Sequence, residues 1–290
     1  MTFNDNARVE TSRVRRGGRG GQIGAIGGGA ALVLFLVSQL LGVDLTGLAP
    51  ATEPQQGSEG ETIGSCTGEQ ANTDIDCRMS LTYESLDDYW ETALPELGGQ
   101  YVSPAMYLMS GTWSTGCGTA SSAMGPFYCP PDQTIYLDTA FFETLTTQLG
   151  AQGGPLAEMY VIAHEWGHHI QNVSGIMDQI DRSDTGPTSD AVRLELQADC
   201  FAGSWAQDAQ ETQDASGTQY LEEFTPEQLA TAMDAAASVG DDHIQQSQGG
   251  DVNPEQWTHG SSEQRQNWFM QGYKGGPGSC DTFDVSGDQL

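Results

Sequence analysis

His164-Glu165-Trp166-Gly167-His168 places two histidines four residues apart with a glutamate beside the first. On a helix, residues i and i+4 share a face, so two imidazoles there converge on one ion. The glutamate projects beside that ion, where it can take a proton from a metal-bound water whose pKa zinc lowers to ~7. A catalytic zinc also needs a third protein ligand and an open position. Glu195 is the expected third ligand, and Asp199, one turn further on, is expected to accept the second N–H of a ligand imidazole. His169, His243 and His259 compete with Glu195, but His169 points about 100° around the helix from His168. As a partner for the oxyanion formed when that metal-bound water attacks a carbonyl, His259 stands first, His243 second and Tyr136 third.

The bland alternatives are concrete. The histidines could decorate an exposed helix face, and Glu195 and Asp199 could form a solvated acidic one. The second pair, however, lies among Leu194, Leu196, Ala198, Cys200 and Phe201, where carboxylates without partners are costly. Gly167, a poor helix former in mid-helix, implies close approach of another backbone.

Three helices with readable ends must position these residues. The first starts at Pro155 after Gly153-Gly154 and carries an apolar repeat to a stop at Gly175. The second starts near Ser189-Asp190, and the third opens on Thr225-Pro226-Glu227-Gln228, a capping-box spacing with proline at the first helical position. A shorter amphipathic helix fits Ser80 to Leu94. Strands are expected within Tyr101–Met109 and at Ile135-Tyr136-Leu137, the latter a candidate edge on which an extended peptide lies. The fold class is α+β, mainly helical with a small sheet. Six cysteines, none in a CxxC pair, read as disulfides. Sequence proximity pairs Cys66 with Cys77 and Cys117 with Cys129, leaving Cys200 for Cys280.

Charge divides the 290 residues into two pieces. Arg8, Arg13, Arg15, Arg16 and Arg19 open the chain, whereas from Leu45 onward 37 acidic residues face 5 basic ones. A net charge of -30 excludes nucleic-acid binding through a broadly basic surface. Scattered acids read as a solubility device rather than as a lure for basic peptides. Between the pieces, residues 23–43 are uncharged and largely apolar over 21 positions, enough for one transmembrane helix. The positive-inside rule then predicts a basic cytoplasmic tail over 1–22, a linker over 44–64 and an extracytoplasmic domain over 65–290, held at the cell membrane. A leader cleaved at Ala49-Pro50-Ala51 is the alternative; that site lies far beyond the apolar run and Pro50 suits it poorly.

Several blocks, in order, resemble the bacterial putative neutral zinc metallopeptidase family: GCGTASSAMGPFYCP, YVIAHEWGHHIQNVSGI, RLELQADCFAGSWA, AMDAAASVGDDHIQ and THGSSEQRQNWFMQGY. The resemblance implies a zincin-like, membrane-anchored protein with His164 and His168 as zinc ligands and Glu165 as the catalytic residue. The Glu195/Asp199 spacing is similar to the gluzincin pattern, in which the glutamate is the third ligand. The expectation is a Zn2+-dependent endopeptidase acting on peptides or proteins. The rival is a non-catalytic surface module with a closed, structural zinc site. Oligomeric state stays open.

Overall fold

A computed structural model describes residues 2–17 and 61–290. In chain order these form β1 (Arg8–Arg16), β2 (Glu61–Thr67), α1 (Gly68–Ala71), α2 (Ile75–Glu96), β3 (Ala105–Leu108), β4 (Thr112–Thr115), β5 (Gly118–Ser121), β6 (Phe127–Cys129) and β7 (Thr134–Leu137). Then follow α3 (Phe141–Thr147), α4 (Pro155–Val173), α5 (Asp190–Asp208), α6 (Pro226–Ser238), α7 (Asp241–Ser247) and α8 (Ser262–Gly275). The class is α+β. One five-stranded sheet runs in the order β2-β1-β3-β7-β6, and β4 with β5 makes a separate hairpin.

The helix ends follow local chemistry. Ser189 caps α5 by accepting the Val192 N–H at 3.2 Å. Thr225 with Gln228 and Ser261 with Gln264 form capping boxes at the starts of α6 and α8. Helix α4 begins at Pro155, whose missing N–H costs nothing in the first turn. Helix α2 is longer than expected, because Asp74 caps it from further upstream by accepting the Cys77 N–H at 3.0 Å.

Packing sets the spacing of the helices. An edge contact between Tyr83 and Trp166, ring centroids 4.9 Å apart, joins α2 to α4, and Trp90 meets Phe201 of α5 at 5.2 Å. Helices α4 and α5 approach so closely at Gly167 that a Cβ there would fall 2.8 Å from the Ala198 Cα. At Gly203 of α5 a Cβ would fall 1.9 Å from the Phe269 carbonyl oxygen of α8. The disulfide Cys200–Cys280 ties α5 to the segment after α8, while Cys66–Cys77 joins β2 to α2 and Cys117–Cys129 joins the hairpin to β6. All three pairings match the sequence expectation.

The sheet brings two corrections. Strand β7 lies between β3 and β6, so the edge strand is β6 and not the Tyr136 segment. The amino-terminal tail is part of the domain: β1 sits between β2 and β3, antiparallel to one and parallel to the other. Phe3, Ala7, Val9 and Val14 are buried in the main core. Outward-facing Arg13 and Arg16 pair with Asp87 and Asp76 of α2. A sequence read locally cannot show this, since the partners of β1 begin at Glu61. The domain therefore comprises residues 2–17 as well as those from Glu61 onward, including the last residues of the expected linker. The expected membrane helix over 23–43 lies outside the described residues, and among the described ones no helix is long and apolar enough to cross a membrane. A single crossing between Gly17 and Glu61 would part β1 from β2 and β3, so this sheet does not permit a tail on one face of a bilayer and the domain on the other.

Arg15 and Thr62 are register partners across β1 and β2. The double variant Arg15→Cys/Thr62→Cys in the full chain should form a fourth, intramolecular disulfide under oxidising conditions. Peptide mapping without reductant reads it, and two free thiols at those positions would refute the pairing.

Candidate metal centre

Helix α4 presents His164 and His168 on one face, and the close crossing at Gly167 brings α5 alongside with Glu195 and Asp199. Ligand atoms of His164, His168 and Glu195 all lie within 4.8 Å of one another. The Nε2 atoms of His164 and His168 stand 3.2 and 3.4 Å from the two oxygens of Glu195. Ligands about 2.0–2.2 Å from a tetrahedral zinc stand about 3.3–3.6 Å apart, so the donor types and their spacing fit that ion.

Both imidazoles are oriented from behind. His164 Nδ1–H donates to Asp199 at 2.8 Å, and His168 Nδ1–H donates to the Gln171 side chain at 2.8 Å. Gln171 is fixed in turn, its amide donating to the Leu194 carbonyl at 2.7 Å and to Gln197 at 3.1 Å. With both Nδ1 atoms engaged, both Nε2 atoms face the cluster. Asp199 is fully buried and also accepts the Tyr160 hydroxyl at 2.5 Å and the Arg265 guanidinium at 2.8 and 3.0 Å.

The electrostatics separate the roles of the carboxylates. Burial alone would raise Glu195 and Asp199, but His168 and His164 hold Glu195 well below the usual range, and Arg265 with His164 holds Asp199 below it. Both stay ionised. Burial dominates at Glu165 and pushes its carboxyl up, with His168, His164 and the Tyr128 N–H offsetting it only in part. A carboxyl raised toward neutrality suits proton exchange. Burial pulls the His164 imidazolium down, yet Asp199 and Glu195 outweigh it and lift the pKa to about 10 before a metal binds. A metal must displace that proton, so its hold strengthens as pH rises.

A cleft of about 480 Å³ opens onto the cluster, lined by His164, Glu165, His168, Glu195 and His259. His259 is the one of the three oxyanion candidates that lines it. Its loop is held by buried Asp241, one carboxylate oxygen of which accepts the N–H groups of Thr258, His259 and Gly260 at 2.7–3.0 Å. The other oxygen of Asp241 lies 3.3 Å from His259 Nδ1. Burial lowers the His259 pKa, but Asp241 and Glu195 outweigh it and the net shift is upward. His243 is elsewhere, bonded to the Leu149 carbonyl at 2.8 Å, and the Tyr136 hydroxyl donates to Asp132 at 2.9 Å. Neither lines the cleft. Sequence reasoning missed Gln171, Tyr160, Asp241 and Arg265. The first two were findable, because Gln171 lies three residues past His168 and Tyr160 four before His164, on the ligand face of one helix.

Comparison with known proteins gives a consistent picture. A family model described as putative neutral zinc metallopeptidase matches residues 3–283. An uncharacterized protein of Mycobacterium tuberculosis is 47% identical over 255 residues, 86% of each chain. The uncharacterized protein YpfJ of Escherichia coli is 38% identical over 266 residues, 90% of this chain and 88% of its own. No solved structure matches the chain.

His169 stands apart from the cluster as a core residue joining α4 to the sheet. Its Nε2–H donates to the Val102 carbonyl at 2.6 Å, and its Nδ1 accepts the Tyr128 hydroxyl at 3.0 Å. Burial lowers its pKa from 6.5 to about 4, so between those values the unfolded chain binds the extra proton. Its contribution is complete above pH 6.5 and is lost as pH falls toward 4, in total roughly 3 kcal/mol. Urea denaturation at pH 7 and pH 4.5 should show a smaller pH-dependent loss for His169→Gln than for wild type. Equal losses would refute the shift.

Proposed function

The chain belongs to the putative neutral zinc metallopeptidase family, and from that premise we propose that it is a zinc-dependent endopeptidase with His164, His168 and Glu195 as ligands and Glu165 as general base. The carrying observation is the convergence of two oriented imidazoles and one ionised carboxylate beside a buried glutamate at the floor of an open cleft. Zinc, when bound, supplies a Lewis acid for the scissile carbonyl and lowers the pKa of a water to ~7. Glu165, raised by burial, takes the proton of the attacking water and returns it to the leaving amine. His259, charged more readily than a free histidine and held by Asp241, faces the developing oxyanion. A closed structural site would instead direct a fourth protein ligand at the cluster. The metal-ligand grouping among the described residues has three members, and the cleft opens onto it.

Substrate placement follows from β6. As the outer strand it borders the cleft, which Met124 to Tyr128 line, so an extended peptide can lie beside it and pair with backbone groups other than the Tyr128 N–H, which Glu165 takes. The cleft lining holds only two acids, Glu165 and Glu195, in a chain that carries 40. Apolar side chains such as Phe141, Leu145, Val161 and Val239 make much of the rest. That supports substrates chosen for apolar side chains, with the surface acidity serving solubility. Three disulfides support work in an oxidising, extracytoplasmic compartment. Membrane contact through residues 23–43 remains part of the proposal, with both flanks of that segment on one side.

Glu165→Gln should retain about one zinc per chain and lose about 10²–10⁴-fold in peptide cleavage; wild-type turnover in that variant would refute the mechanism. Apolar neutral peptides should be cleaved at least as fast as Lys/Arg-rich ones, with little change in ratio from low to high salt. A basic preference that collapses in salt would restore the electrostatic lure.

A further inference from the structure

Arg265 has no assigned role in the proposed reaction, yet it is 2% exposed and its guanidinium lies directly behind the ligand cluster, against Asp199 and Tyr160. Its Nε donates to Asp199 Oδ2 at 2.8 Å and one terminal nitrogen donates to Oδ1 at 3.0 Å, a two-pronged grip on the carboxylate. The same terminal nitrogen reaches the Tyr160 hydroxyl at 3.2 Å, and the other reaches the Val239 carbonyl, just past α6, at 3.4 Å. One side chain from α8 thus touches groups on α4, on α5 and at the end of α6.

We propose that Arg265 is the positioning residue of the metal centre: by fixing the plane of Asp199 it holds the His164 ring with Nε2 toward the ion, and thereby sets how tightly zinc is bound. The inference rests on the zinc reading above. Three observations carry it. Asp199 is fully buried and both of its oxygens accept from the guanidinium, so removing Arg265 would strip the carboxylate of its two-pronged partner in the core. Asp199 Oδ1 accepts from His164, Tyr160 and Arg265 together, so the direction of the His164 bond depends on the other two donors. Finally, α8 is already fastened to α5 by the close crossing at Gly203 and by Cys200–Cys280, so the guanidinium is not the element that docks the helix. Lysine carries the same charge but cannot form the planar two-pronged grip. Geometry, and not charge alone, is what Arg265 supplies.

The test is zinc affinity of the purified full chain, read by competition with a chromophoric chelator, with folding checked by circular dichroism. Arg265→Gln should weaken zinc binding by about 10–100-fold. Arg265→Lys, the variant kept for the case in which glutamine prevents folding, should fold and fall between glutamine and wild type. Excess zinc should restore much of the cleavage lost in Arg265→Lys, which damage to the reacting groups themselves would not allow. Arg78→Gln is the control: it removes another largely buried arginine, paired with Glu158 at the start of α4 and otherwise bonded to the Ala71 and Asn72 carbonyls, not to the ligands or Asp199. It should lower stability and leave zinc affinity unchanged. Wild-type affinity in the lysine variant, or an equal loss in Arg78→Gln, would overturn the proposal. Failure of the wild-type chain to bind zinc would sink the metal reading instead.

Discussion

The separation of α4 and α5 controls the geometry of the cluster. Two histidines on one helix can only half-enclose an ion, and the remaining protein donor must arrive from outside at a spacing of a few ångströms. Helix axes ordinarily lie 8–10 Å apart according to the side chains between them. At the crossing the side chains are reduced to a hydrogen at Gly167 and a methyl at Ala198. That permits a short carboxylate such as Glu195 to reach both imidazoles while Asp199, a turn further along, reaches the back of His164. Overpacking a close contact of this kind forces backbone shifts. A shift of an ångström between these helices would take the ligand atoms outside the range that one small ion can bridge.

Charge balance is the second constraint. Asp199, Glu195, Glu165 and Arg265 are ionisable groups withdrawn from water, and each has a named counterpart: Arg265 for Asp199, the histidines for Glu195, the Tyr128 N–H and the histidines for Glu165. Burial without those counterparts would neutralise the carboxylates and remove the ligand field. The same economy extends to the cleft. Acidic residues cover the surface but are nearly absent from the lining, so the field that keeps the molecule soluble does not set the chemistry of the site.

Legibility in the sequence tracked the range of the interactions involved. Thr225 with Gln228 and Ser189 with Val192 act within a turn, so the starts of α6 and α5 could be read from residue types alone. The His164/His168 pair is equally local, and Glu195 with Asp199 stood out because acids in an apolar run need partners. Strand β1 was invisible for the opposite reason: its neighbours β2 and β3 lie far along the chain, and its alternating arginines read as a tail. Arg265 was hidden because it follows a helix cap, where a basic residue is unremarkable, and its partner Asp199 lies 66 positions away. The β6 edge was missed because a Gly- and Pro-rich disulfide loop masks a three-residue strand. The oxyanion candidates could be ranked by context but not placed, since no local feature separates His259 from His243.

Sheet and metal cluster are joined by a short chain of side chains. Tyr128 of β6 gives its N–H to Glu165 and its hydroxyl to His169, and the hydroxyl accepts from Asn172 at 2.9 Å. The strand proposed to carry the substrate is therefore registered against the helix that carries the general base, through three contacts on one residue. Its position in turn depends on the sheet behind it, whose interior includes β1, and on Cys117–Cys129 at its end. On the other flank, Cys200–Cys280 closes a separation of 80 residues, a constraint worth about 4–5 kcal/mol in a chain-entropy account, and pins the middle of α5 at the residue next to Asp199. Precision at the cluster is thus inherited from distant covalent and strand-pairing constraints. The amino-terminal residues belong to that scaffold as fully as the helices that bear the ligands.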